Sequence, residues 1–111
     1  ELPRMRYWLG TMGYAYEDWR GPFYDGNASS RAWLGTYARH FNTVELNNTF
    51  HAVPTRERIL QWRSQVGPQF RFTVKTFRGI THDQPITEAA PAMLAFVEEL
   101  RAFESQLGAV L

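Results

Sequence analysis

Short apolar runs separated by longer amphipathic stretches set the pattern of this chain. Residues 7–11 form a first short apolar run and predict a strand. Residues 43–47 alternate apolar and polar positions strictly, which predicts a second strand. Residues 70–76 alternate again and predict a third. The stretches between them carry helical spacing. Trp33, Leu34, Tyr37, Ala38 and Phe41 make one apolar stripe, with Ser29 or Ser30 as N-cap, a helix reaching about His40 and Asn42 at the C-cap position. Thr55 caps a second helix that turns Ile59, Leu60 and Trp62 to the core, and Gly67-Pro68 ends it. Thr87 caps a third, with Pro91 in its first turns and Leu94, Val97, Leu100, Ala102 and Phe103 along its apolar face. Gly108 reads as a helix stop, and an apolar run from Ala109 opens a fourth strand. Residues 12–27, with Gly13, Gly21, Pro22 and Gly26, form a long loop, and residues 77–85 form another. Strand and helix therefore alternate, β-α-β-α-β-α-β, which implies parallel strands with crossover helices.

Composition narrows the picture by exclusion. The 111 residues suit one domain, residues 1–111. Twelve basic and eleven acidic residues leave a net charge of +1, which gives no global reason for a nucleic acid or an anionic membrane as partner. Cysteine is absent, so disulfides, cysteine nucleophiles and thiolate metal sites are excluded, and a cytoplasmic address is the expectation. No apolar stretch approaches the roughly 20 residues of a membrane span. Residues 1–6 are charged and lead into no apolar leader core. The chain stops inside the apolar run of its fourth strand, so the expectation is a domain cut at its C-terminal side.

Several segments, taken in order and spacing, resemble the YecE-like family, also called the domain-of-unknown-function-72 family. They are Leu9-Gly10-Thr11-Met12-Gly13-Tyr14-Ala15-Tyr16, Trp19-Arg20-Gly21-Pro22-Phe23-Tyr24 and Phe41-Asn42-Thr43-Val44-Glu45-Leu46-Asn47-Asn48-Thr49-Phe50. Phe70-Arg71-Phe72-Thr73-Val74-Lys75 and Ile80-Thr81-His82 continue the match. The resemblance implies a TIM-type (β/α) barrel whose activity is not generally established. Full barrels run to about 250 residues, so this chain would hold strands 1 to 3, their helices and the start of strand 4. The family pattern carries Ser where Met12 stands, Trp where Tyr14 stands and Tyr where His51 stands.

In a parallel barrel, chemistry sits at the C-terminal ends of the strands. Alternation turns Val44 and Leu46 to the helices and Thr43, Glu45 and Asn47 inward. It does the same for Phe70, Phe72 and Val74 against Arg71, Thr73 and Lys75. Glu45 and Lys75 are thereby expected to converge. Glu45 would serve as general acid or base, and Lys75 would stabilise a developing anion or, if its pKa is lowered, form a Schiff base. The competing reading of the pair is a buried ion pair that fills the barrel. His82, beside Asp83, is the third catalytic candidate. Thr11, Tyr14, Tyr16, Asn47, His51 and Thr81 are the candidate substrate contacts, whereas Trp19 and Phe23 are expected to pack. Asn48 is read as a turn residue and His40 as a helix-end histidine. Arg20, Arg31, Arg56, Arg58 and Arg63 are read as solvated helix faces.

Glu45, His51, His82 and Asp83 are suitable metal ligands by type, but no spacing fixes two of them together, so no metal is assigned. No phosphate-binding glycine loop is present, and the cofactor is left open. The functional expectation is a small polar or anionic ligand at the mouth, with hydrolysis, lyase chemistry and isomerisation all open. The alternatives are a nucleic-acid-binding or processing barrel, in which Lys75, Arg78 and the aromatic loop would meet phosphate and base, or an inactive half barrel. Exposed strand edges in a half barrel predict self-association or a complementary half-barrel partner.

Overall fold

The computed structural model describes residues 6–111. Residues 1–5, most of the segment read above for a leader, lie outside the described residues. Four parallel strands form one sheet in sequential order: β1 (Gly10–Met12), β2 (Thr43–Leu46), β3 (Arg71–Val74) and β4 (Leu107–Val110). Sequential order is what a barrel needs, because each new unit extends the sheet in one direction. A doubly wound sheet would reverse its order at a switch point. The helices are α1 (Trp33–Tyr37), α2 (Arg56–Arg63), α3 (Arg78–Thr81) and α4 (Ala90–Leu100).

The strands form where alternation predicts. Val44, Leu46, Phe72 and Val74 are buried, and Thr43, Glu45, Arg71 and Thr73 are half-buried on the other face. The buried face meets Trp33, Leu34, Tyr37, Ile59, Trp62, Phe96, Leu100 and Phe103 from the helical side. β1 is displaced from residues 7–11 to Gly10–Met12, and Tyr7 and Leu9 are exposed. Gly10 is obligatory there: a Cβ would stand 1.9 Å from the Thr43 carbonyl oxygen and 2.9 Å from the Tyr37 hydroxyl.

Several helix expectations are corrected. The Ser29 hydroxyl accepts from Arg31 N at 3.3 Å and opens a tight turn, Ser30–Ala32, that leads into α1. α1 ends at Tyr37, and i to i+3 bonds carry the chain on to His40. Asn42 is not a C-cap. Its side chain accepts from Leu9 N at 2.7 Å and donates to Tyr7 O at 2.7 Å, clipping the segment before β1 onto β2. The Thr55 cap forms, and its hydroxyl accepts from Arg58 N at 3.2 Å. Leu60 is exposed, because the buried stripe of α2 runs through Ile59 and Trp62 and leaves its neighbour about 100° around the helix.

In α4 the buried stripe is Ala89, Phe96 and Leu100, with Ala92 and Met93 half-buried, and Leu94 and Val97 face outward. Both stripes share Leu100. The one carrying the Phe96 ring buries the larger area and decides the rotation. Thr87 makes no cap and lies in a tight turn, Ile86–Glu88, while Pro91 stands in the first turn as expected. Residues 77–85 are not a plain loop, since α3 forms within them. The helical run before β4 is broken by Glu104, at φ 53° and ψ −131°, and not by Gly108. Gly108 is the extra residue of a bulge, because Phe72 pairs with Leu107 and Thr73 with Ala109.

One polar network anchors this end of the chain. Arg63 donates to Gln106 Oε1 at 2.8 Å, Ala102 O at 2.9 Å and Glu104 Oε2 at 3.2 Å. The buried Gln106 amide donates to Gly67 O at 2.9 Å and Phe70 O at 3.2 Å. Arg63 is therefore a tie between α2 and the turn into β4, not a solvated arginine. No helix among the described residues is long and apolar enough to cross a membrane.

Candidate functional site

The C-terminal ends of β2 and β3 are held at a fixed separation by Thr49. Its buried hydroxyl lies 2.9 Å from Leu46 O and 2.7 Å from Lys75 O and donates its one hydrogen between them. Lys75 N continues the ladder to Leu46 O at 3.2 Å, and Leu111 N reaches Val74 O at 2.9 Å. This frame opens onto a hollow of about 260 Å³, into which β2 contributes Glu45, β3 contributes Lys75 and α3 and its end contribute Thr81 and His82. Phe50, Thr76 and Leu111 complete the wall.

Glu45 and Lys75 therefore line one hollow, as the alternation predicts, but the ion pair of the competing reading is not formed. The ion pairs among the described residues are Arg20–Glu17, Arg63–Glu104, Arg78–Asp83 and Arg101–Glu98. Among those residues, the Glu45 carboxylate has neither an ionic nor a hydrogen-bonding partner. The Lys75 ammonium stands 4.6 Å from the centre of the Phe50 ring, a contact that favours a cation without neutralising it.

Phe50 is the hub that sequence reading missed. Besides Lys75, it has the Arg78 guanidinium at 5.9 Å, and His51 and His82 meet it edge-on at 5.1–5.2 Å. His51 is exposed and touches this ring without lining the hollow. His82 Nδ1 shares a hydrogen bond with Thr81 Oγ1 at 2.5 Å. Asp83 does not orient His82, because it is taken by Arg78 at 3.3 Å. Among the described residues, no group of three or more His, Asp or Glu stands close enough to hold a metal ion.

The remaining candidates separate from this hollow. Thr11 is in register with Val44, which is in register with Phe72, so it lies on the helix side of the sheet. Its hydroxyl bonds Gly13 O at 2.6 Å and meets the Tyr37 hydroxyl at 3.1 Å. A strand of three residues shows no period in the sequence from which this register could be read. Tyr14, Tyr16 and Asn47 gather with Gly13, Asn48 and Arg58 around a second hollow of about 190 Å³. Asn47 Oδ1 is buried there without a partner, and the Tyr16 hydroxyl donates to Met12 O. Burial pushes the Tyr14 hydroxyl up, while Arg58 and the Trp62 indole pull it down.

The rest of the aromatic loop packs on itself. Tyr24 stacks on Trp33 at 4.9 Å and donates to Tyr14 O at 2.6 Å, and Trp19 and Phe23 meet at 5.7 Å. Arg20, over the Trp33 ring at 5.0 Å and bonded to Glu17 and Ala28 O, fastens this loop and is not a solvated arginine. His40 packs edge-on to Phe23 at 5.2 Å.

The similarity to known proteins extends over this whole frame. The model of the family described as "Protein of unknown function DUF72" matches residues 8–111. The UPF0759 protein YecE of Escherichia coli strain K12 is 35% identical over 75 residues, covering 68% of this chain and 28% of that protein. The UPF0759 protein YunF of Bacillus subtilis is 29% identical over 77 residues, covering 69% of this chain and 26% of its own length. The chain thus spans little more than a quarter of the curated relatives it matches. Two crystal structures share the fold. A DUF72 family protein of Enterococcus faecalis V583 superimposes with a TM-score of 0.72 at 23% identity, over 93% of this chain and 38% of that one. A DUF72 family protein of Thermotoga maritima superimposes with a TM-score of 0.70 at 27% identity, over 93% and 42%. The four sequential parallel strands are one arc of a TIM-type (β/α) barrel, and the chain belongs to the DUF72 family, whose function is not established.

Proposed function

We propose that this chain supplies part of a ligand-binding mouth for a small polar or anionic molecule, with Glu45, Lys75 and His82 as its acid-base groups. The observation that supports the reading is the unpaired state of Glu45 and Lys75 on one hollow: a half-buried carboxylate without a partner beside an ammonium held only by a ring. Half-buried charges are costly to leave unpaired, and a bound polar ligand relieves both. In this reading Glu45 moves a proton, Lys75 stabilises negative charge, and the Thr81 hydroxyl, bonded to His82 Nδ1, orients that ring. Hydrolysis, lyase chemistry and isomerisation all use this set, and the reaction class stays open. Of the aromatic loop that a nucleic-acid reading draws on, Trp19, Phe23 and Tyr24 are engaged with one another, Tyr16 meets Trp19 and Tyr14 meets Tyr37, and no observation favours that reading.

The test uses the full-length protein. Native mass spectrometry of the wild type is expected to show a retained small molecule that Glu45→Gln and Lys75→Met lose. Stability is expected to change by no more than about 0.5 kcal/mol in either variant, as for a side chain without a structural partner. A loss of about 3–5 kcal/mol in each single variant, with no retained mass in the wild type, would identify a structural ion pair instead.

A further inference from the structure

A third, polar groove of about 150 Å³ lies on the helical side of the sheet between the entry to α1 and the exposed flank of α2, and shares Tyr14 and Arg58 with the second hollow. Tyr14, Ser30, Arg31, Arg58 and Trp62 line it, and Gln61 and Gln65 complete the wall. No carboxylate is among these residues. Arg58 donates to the neutral Gln61 Oε1 at 3.1 Å and lies over the Trp62 ring at 5.2 Å, which fixes its direction without cancelling its charge. Arg31 has no ionic or hydrogen-bonding partner for its guanidinium among the described residues. The Trp62 side chain is 2% exposed, and its Nε1–H, a group that only donates, has no formed hydrogen bond. A buried donor without a full hydrogen bond is destabilising.

We propose that this groove binds an oxyanion group, phosphate or carboxylate, with Trp62 Nε1–H, Arg58 and Arg31 as its donors. Two guanidinium groups without a carboxylate, and an indole N–H that approaches the Tyr14 hydroxyl without forming a full hydrogen bond, surround one small space; an oxyanion supplies several charged acceptor atoms to them at once. The volume falls below the about 300–1,000 Å³ of pockets for drug-sized molecules, so it suits a single headgroup. None of these residues lines the mouth, so the inference stands apart from the reading of Glu45 and Lys75.

The test is a titration of the full-length protein, its tryptophans labelled with nitrogen-15, with sodium phosphate and separately with sodium acetate at constant ionic strength. The Trp62 indole resonance is identified by its loss in Trp62→Phe. It is expected to move and saturate with phosphate, acetate or both, and the pattern tells which oxyanion the groove prefers. Arg31→Gln and Arg58→Gln are each expected to weaken the apparent affinity about tenfold or more, as for the loss of a charge-assisted hydrogen bond. Arg31 is exposed and unpaired, so its variant retains the fold, which a melting curve checks. No saturable shift with either anion, or a shift equally strong in both arginine variants, would overturn the proposal.

Discussion

Thr49 shows how much of the site rests on one hydroxyl. It bridges the carbonyls that end β2 and begin the exit from β3, and those are the positions from which Glu45 and Lys75 reach the mouth. Thr49→Val keeps the shape and takes the hydroxyl donor from the Lys75 carbonyl, while Leu46 O keeps Lys75 N. It is expected to cost about 1–3 kcal/mol, read as a lower melting temperature, and an unchanged melting temperature would contradict the bridge. The tyrosines under the aromatic loop make a separate prediction. Burial pushes the hydroxyls of Tyr14 and Tyr24 above the ordinary tyrosine value of 10.0. The folded chain therefore holds these protons more tightly than the unfolded chain. The associated stability is intact below about pH 10 and is lost as pH rises through the folded values, because the unfolded tyrosines ionise first. Melting temperatures measured from about pH 8 to 11 should fall above 10, and Tyr24→Phe should make the fall shallower. An identical slope in Tyr24→Phe would show that its proton is not linked to folding.

At the scale of elements, strand periodicity carried the reading furthest. Alternation over Thr43–Leu46 and Arg71–Val74 placed Glu45 and Lys75 on the inner face, because a period of two leaves no choice once one face is apolar. Helix rotation was less legible. In α2 and α4 two apolar stripes overlap, and large rings, Trp62 and Phe96, decide between them by the area they bury. The site divided for a different reason. β1 is only three residues long, too short to display a period, so Thr11 went to the helix side unnoticed while Tyr14 and Tyr16 followed the loop to the second hollow. Phe50 and the arginines were hidden because their roles depend on contacts between segments distant in sequence. Arg63 meets Gln106, and Phe50 meets Lys75 and His82, through loop paths that no local pattern encodes.

As a whole the described chain is a slab, 45 × 44 × 22 Å, with a radius of gyration of 15.6 Å, where a compact domain of about 100 residues has about 13 Å. Helices cover one face of the sheet and leave the other half-open, and β1 and β4 are its edges. Leu9, Met12 and Leu111 stand 61–70% exposed beside those edges. The 111-residue chain studied alone is therefore expected to pair along them, eluting as a dimer or larger species in light-scattering chromatography. A monodisperse, cooperatively folding monomer would contradict this. The central claim concerns the mouth, and the most direct measurement is a crystal structure of the full-length protein purified without removal of bound small molecules. The account predicts non-protein density within hydrogen-bonding distance of the Glu45 carboxylate and the Lys75 ammonium. Side chains from the rest of the barrel paired to both groups, with the hollow filled, would contradict it.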